Sequence, residues 1–359
     1  MKILIVYTYS GSGGHKKIAE NIGAVLHENH QVDMIDLYEK EKGSLVSGGT
    51  KIYYWIIKFV PGLWTFFYTN KIFLAVTLPL RVPLAGLRSK KLLNIINAGH
   101  YDLVISTHTS SSAAVSYLKS KGLYNGKFAI AFSDFHFHPY WAYDHCDMYL
   151  ANIDEQKQQL VARGIGPEKI AVCGITVQRK QNLDIGEIRN KYGLKSGEKV
   201  VLFLSGSAGA GLNSETISQL LATDAKIIIA CGSNREFLQA VHDEYGDNPR
   251  IIPVGYVPWY ELYPLADIVV TKPGGLTVTE CLEHGLPMLI SYLLPGQEEL
   301  NYEYLSDKDL IMPEFADLAG AIQDELQTKS FAESLKHNPY VPQVVKYGRE
   351  VIEAISRLS

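Results

Sequence analysis

Short, almost wholly apolar runs recur along the chain, each separated from the next by a stretch with helical spacing of its apolar positions. The first series reads ILIVYT, QVDMIDL, DLVIST, KFAIAFS, MYLAN and KIAVCGI. A charged, glycine-containing stretch from about Gln178 to Lys199 interrupts it. The rhythm then restarts as VVLFLS, KIIIACG, RIIPVGY, DIVVT and PMLISY. Runs apolar on both faces, alternating with helices, predict parallel sheets covered by helices on either side. Two series predict two Rossmann-like α/β domains, one over residues 1–180 and one over 198–335. A helix over Val341–Leu358 follows, within a third segment taken as 340–359. There is no internal repeat and no low-complexity tract.

The composition narrows this picture. At 359 residues the chain accommodates two domains, and 47% hydrophobic with 20% charged residues is a globular balance. A net charge of −4 argues against nucleic acid as a partner. Cys146, Cys173, Cys231 and Cys281 form no CxxC pair and read as small buried hydrophobes of a reducing compartment. The opening MKILIVYTYSGSGGH has too short an apolar run for a leader and leads directly into a glycine turn. It reads as the first strand of a cytosolic domain.

One segment departs from the rhythm. Lys51–Lys91 is crowded with aromatic residues, Trp55, Trp64 and Phe67 among them, interleaved with Lys58, Lys71 and Arg81. Lys58, Pro61 and Lys71 interrupt it too often for a membrane span, which needs roughly 20 uncharged apolar residues. Aromatic and basic residues together suit a surface lying in the headgroup layer of an anionic membrane.

Candidate chemistry sits where strands end. In TKPGGLTVTE (Thr271–Glu280), Pro273, Gly274 and Gly275 stop a strand, and a helix from Leu276 to Glu283 follows, closed by Gly285. The start of such a helix, Gly274–Thr277, offers unpaired N–H groups and a positive dipole end that suit a diphosphate. Glu280, one turn in, is placed to accept hydrogen bonds from a ribose. After the next strand comes PGQEELN, with Gln297, Glu298 and Asn301; two polar sites after consecutive strands of one sheet describe a nucleotide-sugar pocket. In GSGGH, after the first strand, Gly13 and Gly14 let an acceptor or phosphate approach the backbone, and His15 is a suitable base for an alcohol. SDFHFHPYW places Asp134, His138 and Trp141 at the carboxyl end of a strand, where open α/β sheets bind ligands. Its histidines, with His145 and Cys146, do not have zinc spacing, so no metal is expected. Asp307-Lys308-Asp309 lies in a charged, surface-type segment and reads as solvated.

These motifs resemble those of the GT-B glycosyltransferase family that holds the plant monogalactosyldiacylglycerol synthases and bacterial diacylglycerol glucosyltransferases. The peptidoglycan GlcNAc-transferase is a more distant relative. The family patterns TKPGG-T--E, PGQE---N, GGGH and TDF--H--W are matched at the positions just named. A Y-------P-LW---Y pattern, used there for membrane and lipid contact, is matched by Tyr54, Pro61, Leu63, Trp64 and Tyr68. The resemblance implies two Rossmann-like domains facing a central cleft, with the last helix crossing back to the first. It implies Ser207 of SGSAGAG near the donor phosphates, Tyr256 and Val257 lining the uracil, and Gln297 facing the hexose. Its implied roles are His15 as base, Asp134 orienting or activating a histidine, and His138 contacting acceptor or sugar.

The expected reaction is inverting transfer of glucose or galactose from a UDP-hexose to diacylglycerol, without cofactor or metal. The expected place is the inner face of the cell membrane, where the enzyme is peripheral. Transfer to another lipid such as a polyprenol-linked intermediate, and nucleotide-sugar binding without turnover, are the rival readings. One departure stands out: the family's G-I-P-I-R is Gly174-Ile175-Thr176-Val177-Gln178 here, with Arg179 one place late.

Overall fold

The structure, a computed structural model, describes residues 1–8, 13–37, 60–86, 89–204 and 211–358. The chain divides into two compact units. The first holds Met1–Gln178, Pro295–Asn301 and Gln343–Ser359; the second holds Arg179–Leu294 and Tyr302–Pro342.

The first unit is built on a six-stranded parallel sheet. Its strands are β1 (Lys2–Tyr7), β2 (Gln31–Asp36), β3 (Leu103–Ser106), β4 (Lys127–Ala131), β5 (Met148–Ala151) and β6 (Ile170–Val172). The spatial order is β2-β1-β3-β4-β5-β6. Ile3, Leu4, Ile5 and Val6 of β1 and all of Leu103–Ser106 are buried, so these two central runs are strands covered on both faces. Leu4, Val104, Phe128, Ile130 and Tyr149 pack against Leu92, Ile96, Val115 and Leu118 from the flanking helices. Each such side chain contributes about 1.5–3 kcal/mol by leaving water.

The second unit carries a five-stranded parallel sheet. After a two-residue strand β7 (Ile175–Thr176), its strands are β8 (Val200–Leu204), β9 (Lys226–Ala230), β10 (Ile251–Val254), β11 (Ile268–Thr271) and β12 (Met288–Ile290). They are ordered β10-β9-β8-β11-β12. Both sheets reverse direction of growth at one place, β1/β3 in the first and β8/β11 in the second. Loops at the carboxyl ends of those strand pairs are where such sheets hold ligands.

The helix expected over Val341–Leu358 is broken. Val345–Lys346 forms β13, which pairs with β7, and a helix resumes only at Arg349–Ser356. Gly348 sits between them at φ 89°, and a Cβ there would come within 2.6 Å of Val25. Backbone and neighbour together demand glycine, and the helix stops.

The aromatic-basic segment, where described, forms helices Pro61–Thr69, Lys71–Gly86 and Ser89–Gly99. Among the described residues no single helix is long and apolar enough to cross a membrane. Lys71–Gly86 contains Pro79 and Pro83, and Ile72 (78%), Val76 (62%), Leu80 (51%) and Leu84 (59%) are exposed at four-residue intervals. That spacing aligns them along one face of the helix.

Candidate active site

At the β1/β3 switch point two loops meet. Helix Gly14–Leu26 begins just after β1 and carries His15 in its first turn. His15 Nδ1 lies 2.6 Å from the Thr107 carbonyl oxygen, and Thr107 Oγ1 donates to the His15 carbonyl at 3.1 Å. A carbonyl only accepts, so Nδ1 carries a proton, and Nε2 is the nitrogen through which the ring takes up or gives up its second one. His108 packs edge-on to His15 with ring centroids 4.7 Å apart. Its Nδ1 accepts from the Ser110 N–H at 3.2 Å, capping helix Thr109–Ser120. Burial, then the neighbouring His15, holds His108 well below the usual histidine range, so it stays neutral beside the base.

Asp134 is the hub of a buried network in the same unit. Its Oδ1 accepts from Asn301 Nδ2 at 2.9 Å, and its Oδ2 accepts from Gln297 Nε2 at 2.8 Å and Ser133 Oγ at 2.9 Å. Its carbonyl takes Asn152 Nδ2 at 2.8 Å and Gln156 Nε2 at 3.2 Å. Burial alone would raise the carboxyl pKa. The His136 charge, the Asn301 and Ser133 bonds and the His15 charge outweigh it, and the group stays ionised below its ordinary value. Asn301 is fully buried; its Oδ1 accepts from the Phe135 N–H at 2.9 Å and lies 3.2 Å from His136 Nδ1. PGQEELN therefore starts a helix, Gln297–Asp307, whose first turn belongs to the first unit and contacts the Asp134 loop. Glu298 is buried there as well.

His138 is placed differently from His15. Its ring is stacked between Tyr68 (4.0 Å) and Tyr140 (5.4 Å). Nε2 donates to the Tyr68 carbonyl at 2.9 Å, and Nδ1 accepts from the Tyr140 N–H at 3.3 Å. Both ring nitrogens serve backbone groups. Burial pushes the pKa down to about 4, with the His136, Arg163 and Arg81 charges adding to the effect against the Tyr68 bond. Trp141 is buried in the core beside Phe132. Arg81 also turns inward: its guanidinium donates to the carbonyls of Pro139 (2.7 Å) and Ala142 and lies 4.3 Å from the centre of the Tyr143 ring.

In the second unit, β11 leads into helix Gly275–His284, capped by Gly285 at φ 65°. Gly274 is extended and no side chain caps the helix start. The Lys272 ammonium lies 3.3 Å from where a Gly274 Cβ would be, which adds a cation to the dipole end. Gly275 is buried, while Leu276 and Thr277 are half-buried. Glu280 is buried and accepts from Tyr263 Oη at 3.0 Å. Burial, then the Glu280 charge, pushes the Tyr263 hydroxyl well up, so it remains a donor. Tyr256 is 76% exposed and Val257 half-buried.

Two family models match the chain: monogalactosyldiacylglycerol (MGDG) synthase over residues 15–177, and the glycosyltransferase family 28 C-terminal domain over residues 200–309. The processive diacylglycerol β-glucosyltransferase of Bacillus pumilus (strain SAFR-032) is 30% identical over 261 residues, 70% of this chain and 67% of that protein. The chain belongs to the MGDG synthase family of glycosyltransferases. The enzyme of the same name from Bacillus subtilis (strain 168) is 29% identical over 228 residues, 61% of this chain and 59% of its own length. That from Bacillus cereus (strain 03BB102) is 27% identical over 353 residues, 93% and 89%. Among solved structures, Anabaena HepE in complex with UDP has TM-score 0.60 at 13% identity, covering 99% of this chain and 100% of that one. UDP-GlcNAc 2-epimerase from Neisseria meningitidis bound to UDP-GlcNAc has TM-score 0.58 at 13%, with the same coverage. These two likenesses show the fold, which is GT-B-like.

For this glycosyltransferase the structure groups His15, Gly13, Gly14, Asp134, Gln297 and Asn301 in the first unit, and Gly274–Thr277 with Glu280 in the second. Ser207, Trp55 and Lys58 lie outside the described residues. Trp64 and Phe67 are half-buried and Lys71 is exposed. Sequence reasoning passed over Thr107, His108 and Lys272. The signal for the first two was available, since THTSSS directly follows the strand LVIS. Lys272 sits inside the motif already quoted.

Proposed function

We propose that this glycosyltransferase moves a hexose from a UDP-sugar to the free hydroxyl of diacylglycerol with inversion at the anomeric carbon, while docked on the inner face of the cell membrane. The observation that carries the reading is the fixed tautomer of His15. With Nδ1–H tied to the Thr107 carbonyl, Nε2 is the lone pair that takes the acceptor proton as the hydroxyl oxygen bonds to C1. The C1–O bond to UDP breaks in the same step, and the diphosphate keeps the electron pair.

The Gly274–Thr277 helix start and the Lys272 ammonium support a diphosphate site that offsets this leaving charge. Glu280, steadied by Tyr263, serves the ribose, and Gln297 serves the hexose hydroxyls. Asp134 and His138 hold their loop, and neither acts as the base: Asp134 is occupied by three side-chain donors and His138 by two backbone groups. Membrane docking rests on the exposed aliphatic face Ile72-Val76-Leu80-Leu84 more than on Arg81, which faces the protein.

The test is UDP release and lipid product formation on diacylglycerol vesicles by the native chain and by His15→Gln. General-base removal costs about 10²–10⁴ in rate, and UDP binding should be unaffected. Near-normal turnover in His15→Gln would remove the assigned base. UDP binding without product from either UDP-glucose or UDP-galactose would favour a non-catalytic protein. Product on a polyprenyl acceptor alone would move the acceptor away from diacylglycerol.

A further inference from the structure

Tyr68 ends the Pro61–Thr69 helix and touches the Asp134 network at several points that the reaction above leaves unexplained. Its hydroxyl lies 3.0 Å from His136 Nε2. Asn301 Oδ1 accepts the Phe135 N–H, so it is an oxygen, and His136 Nδ1 must donate to it. That leaves Nε2 to pair with the Tyr68 hydroxyl, which can donate to it or accept from it. One hydroxyl thereby holds the rotation of His136. Through His136 it fixes Asn301, whose Nδ2 donates to the same Asp134 carboxylate that holds Gln297. The ring of Tyr68 is itself clamped by the stack on His138 and by Gly296, where a Cβ would lie 3.1 Å from Tyr68. Gly296, at φ 78°, directly precedes Gln297.

The same helical hairpin holds the Asp134 loop twice more. Tyr140 Oη donates to Thr77 Oγ1 at 2.6 Å, and Arg81 takes the carbonyls of Pro139 and Ala142. Thr77 and Arg81 lie on helix Lys71–Gly86, which exposes Ile72, Val76, Leu80 and Leu84 on another face. A displacement of under an ångström breaks a hydrogen bond of this kind, so movement of the hairpin reaches Asn301 and Gln297.

We propose that Tyr68 is a positioning residue for hexosyl transfer, coupling the seating of this hairpin on a lipid surface to the placement of Gln297 through His136, Asn301 and Asp134. This rests on the proposed function, in which the hairpin meets lipid and Gln297 serves the hexose. It differs from the lipid contact that the family resemblance implies for Tyr68, whose hydroxyl is turned inward.

Tyr68→Phe removes the hydroxyl and leaves the stack and the carbonyl bond to His138. On vesicles of phosphatidylglycerol with diacylglycerol, the variant should sediment like the native chain and bind UDP with unchanged affinity. Its KM for the UDP-hexose should rise about three- to tenfold, the scale of one lost hydrogen bond. His136→Gln should give a similar rise, and the double variant should be no worse than either single one. Native KM and kcat in Tyr68→Phe, or penalties that multiply in the double variant, would overturn the coupling and leave the proposed function standing. A native chain that neither sediments nor transfers would remove both.

Discussion

Replacing His138 by phenylalanine should erase a pH dependence of stability that the structure places on this one ring. Folded His138 titrates at about 4 against an ordinary 6.5. Above pH 6.5 both folded and unfolded chains hold it neutral, and its contribution is fully present. As pH falls from 6.5 to about 4, the unfolded chain takes up a proton that the folded ring refuses, so stability declines. At about 1.4 kcal/mol per unit the loss is about 3 kcal/mol, or about 6–12 °C in Tm for a unit of this size. Phenylalanine keeps the stack between Tyr68 and Tyr140 but leaves the Tyr68 carbonyl and Tyr140 N–H without this partner, a cost of about 1–3 kcal/mol each. The variant should therefore be less stable at pH 7.5, and the gap should close on approach to pH 4.5. Differential scanning calorimetry of both proteins across that range reads the difference, in which all other titrating groups cancel. Two parallel curves would refute the claim that the ring is held neutral between backbone groups.

Asp134→Asn keeps one acceptor oxygen but sets an NH2 against the donor or donors on the other, and should cost about 3–5 kcal/mol, read as a Tm drop at pH 7. Because its folded pKa is lowered, the carboxylate stabilises above about pH 3.9 and that benefit fades as pH falls through the folded value, so the penalty should shrink in acid. Ile72→Ser, Val76→Ser and Leu84→Ser together should weaken vesicle sedimentation about a hundredfold or more, given about 0.8 kcal/mol per buried methylene. High salt should do much less, and strong salt sensitivity would return docking to the basic residues. Glu280→Gln should weaken UDP binding about 3- to 30-fold by calorimetry, whereas unchanged affinity would show that Glu280 serves only Tyr263.

Most strands were legible because a parallel strand buried on both faces has no choice but an apolar run; all eleven runs became strands, the edge strand β2 with no buried residue among them. The turn at Gly274 and the cap at Gly285 were legible because their backbone geometry selects glycine. What could not be read was pairing across distance. Nothing in PGQEELN says that Asn301 and Gln297 meet Asp134, more than 160 positions earlier. Nor does an arginine among aromatics say which way it points; Arg81 turned inward because two loop carbonyls and the Tyr143 face were there to receive it. Strands β7 and β13 are two residues each, too short for any periodicity to register.

The composition of the first unit from three separate stretches has a consequence for synthesis on the ribosome. Its large portion ends at Gln178, but the turn bearing Gln297 and Asn301 and the closing helix Arg349–Ser356, with buried Val351, Ala354 and Ile355, come much later. At about 5–20 residues per second, the about 165 residues up to Gln343 take roughly 8–33 s to emerge. Asp134 lacks two of its donors until Asn301 has emerged, and helix Gly14–Leu26 lacks the helix that covers it for the whole interval. The second unit, beginning at Arg179, has most of its sheet in hand first. The half of the enzyme made earliest is thus the half completed last, and a nascent chain halted before Gln343 is the species most in need of a chaperone.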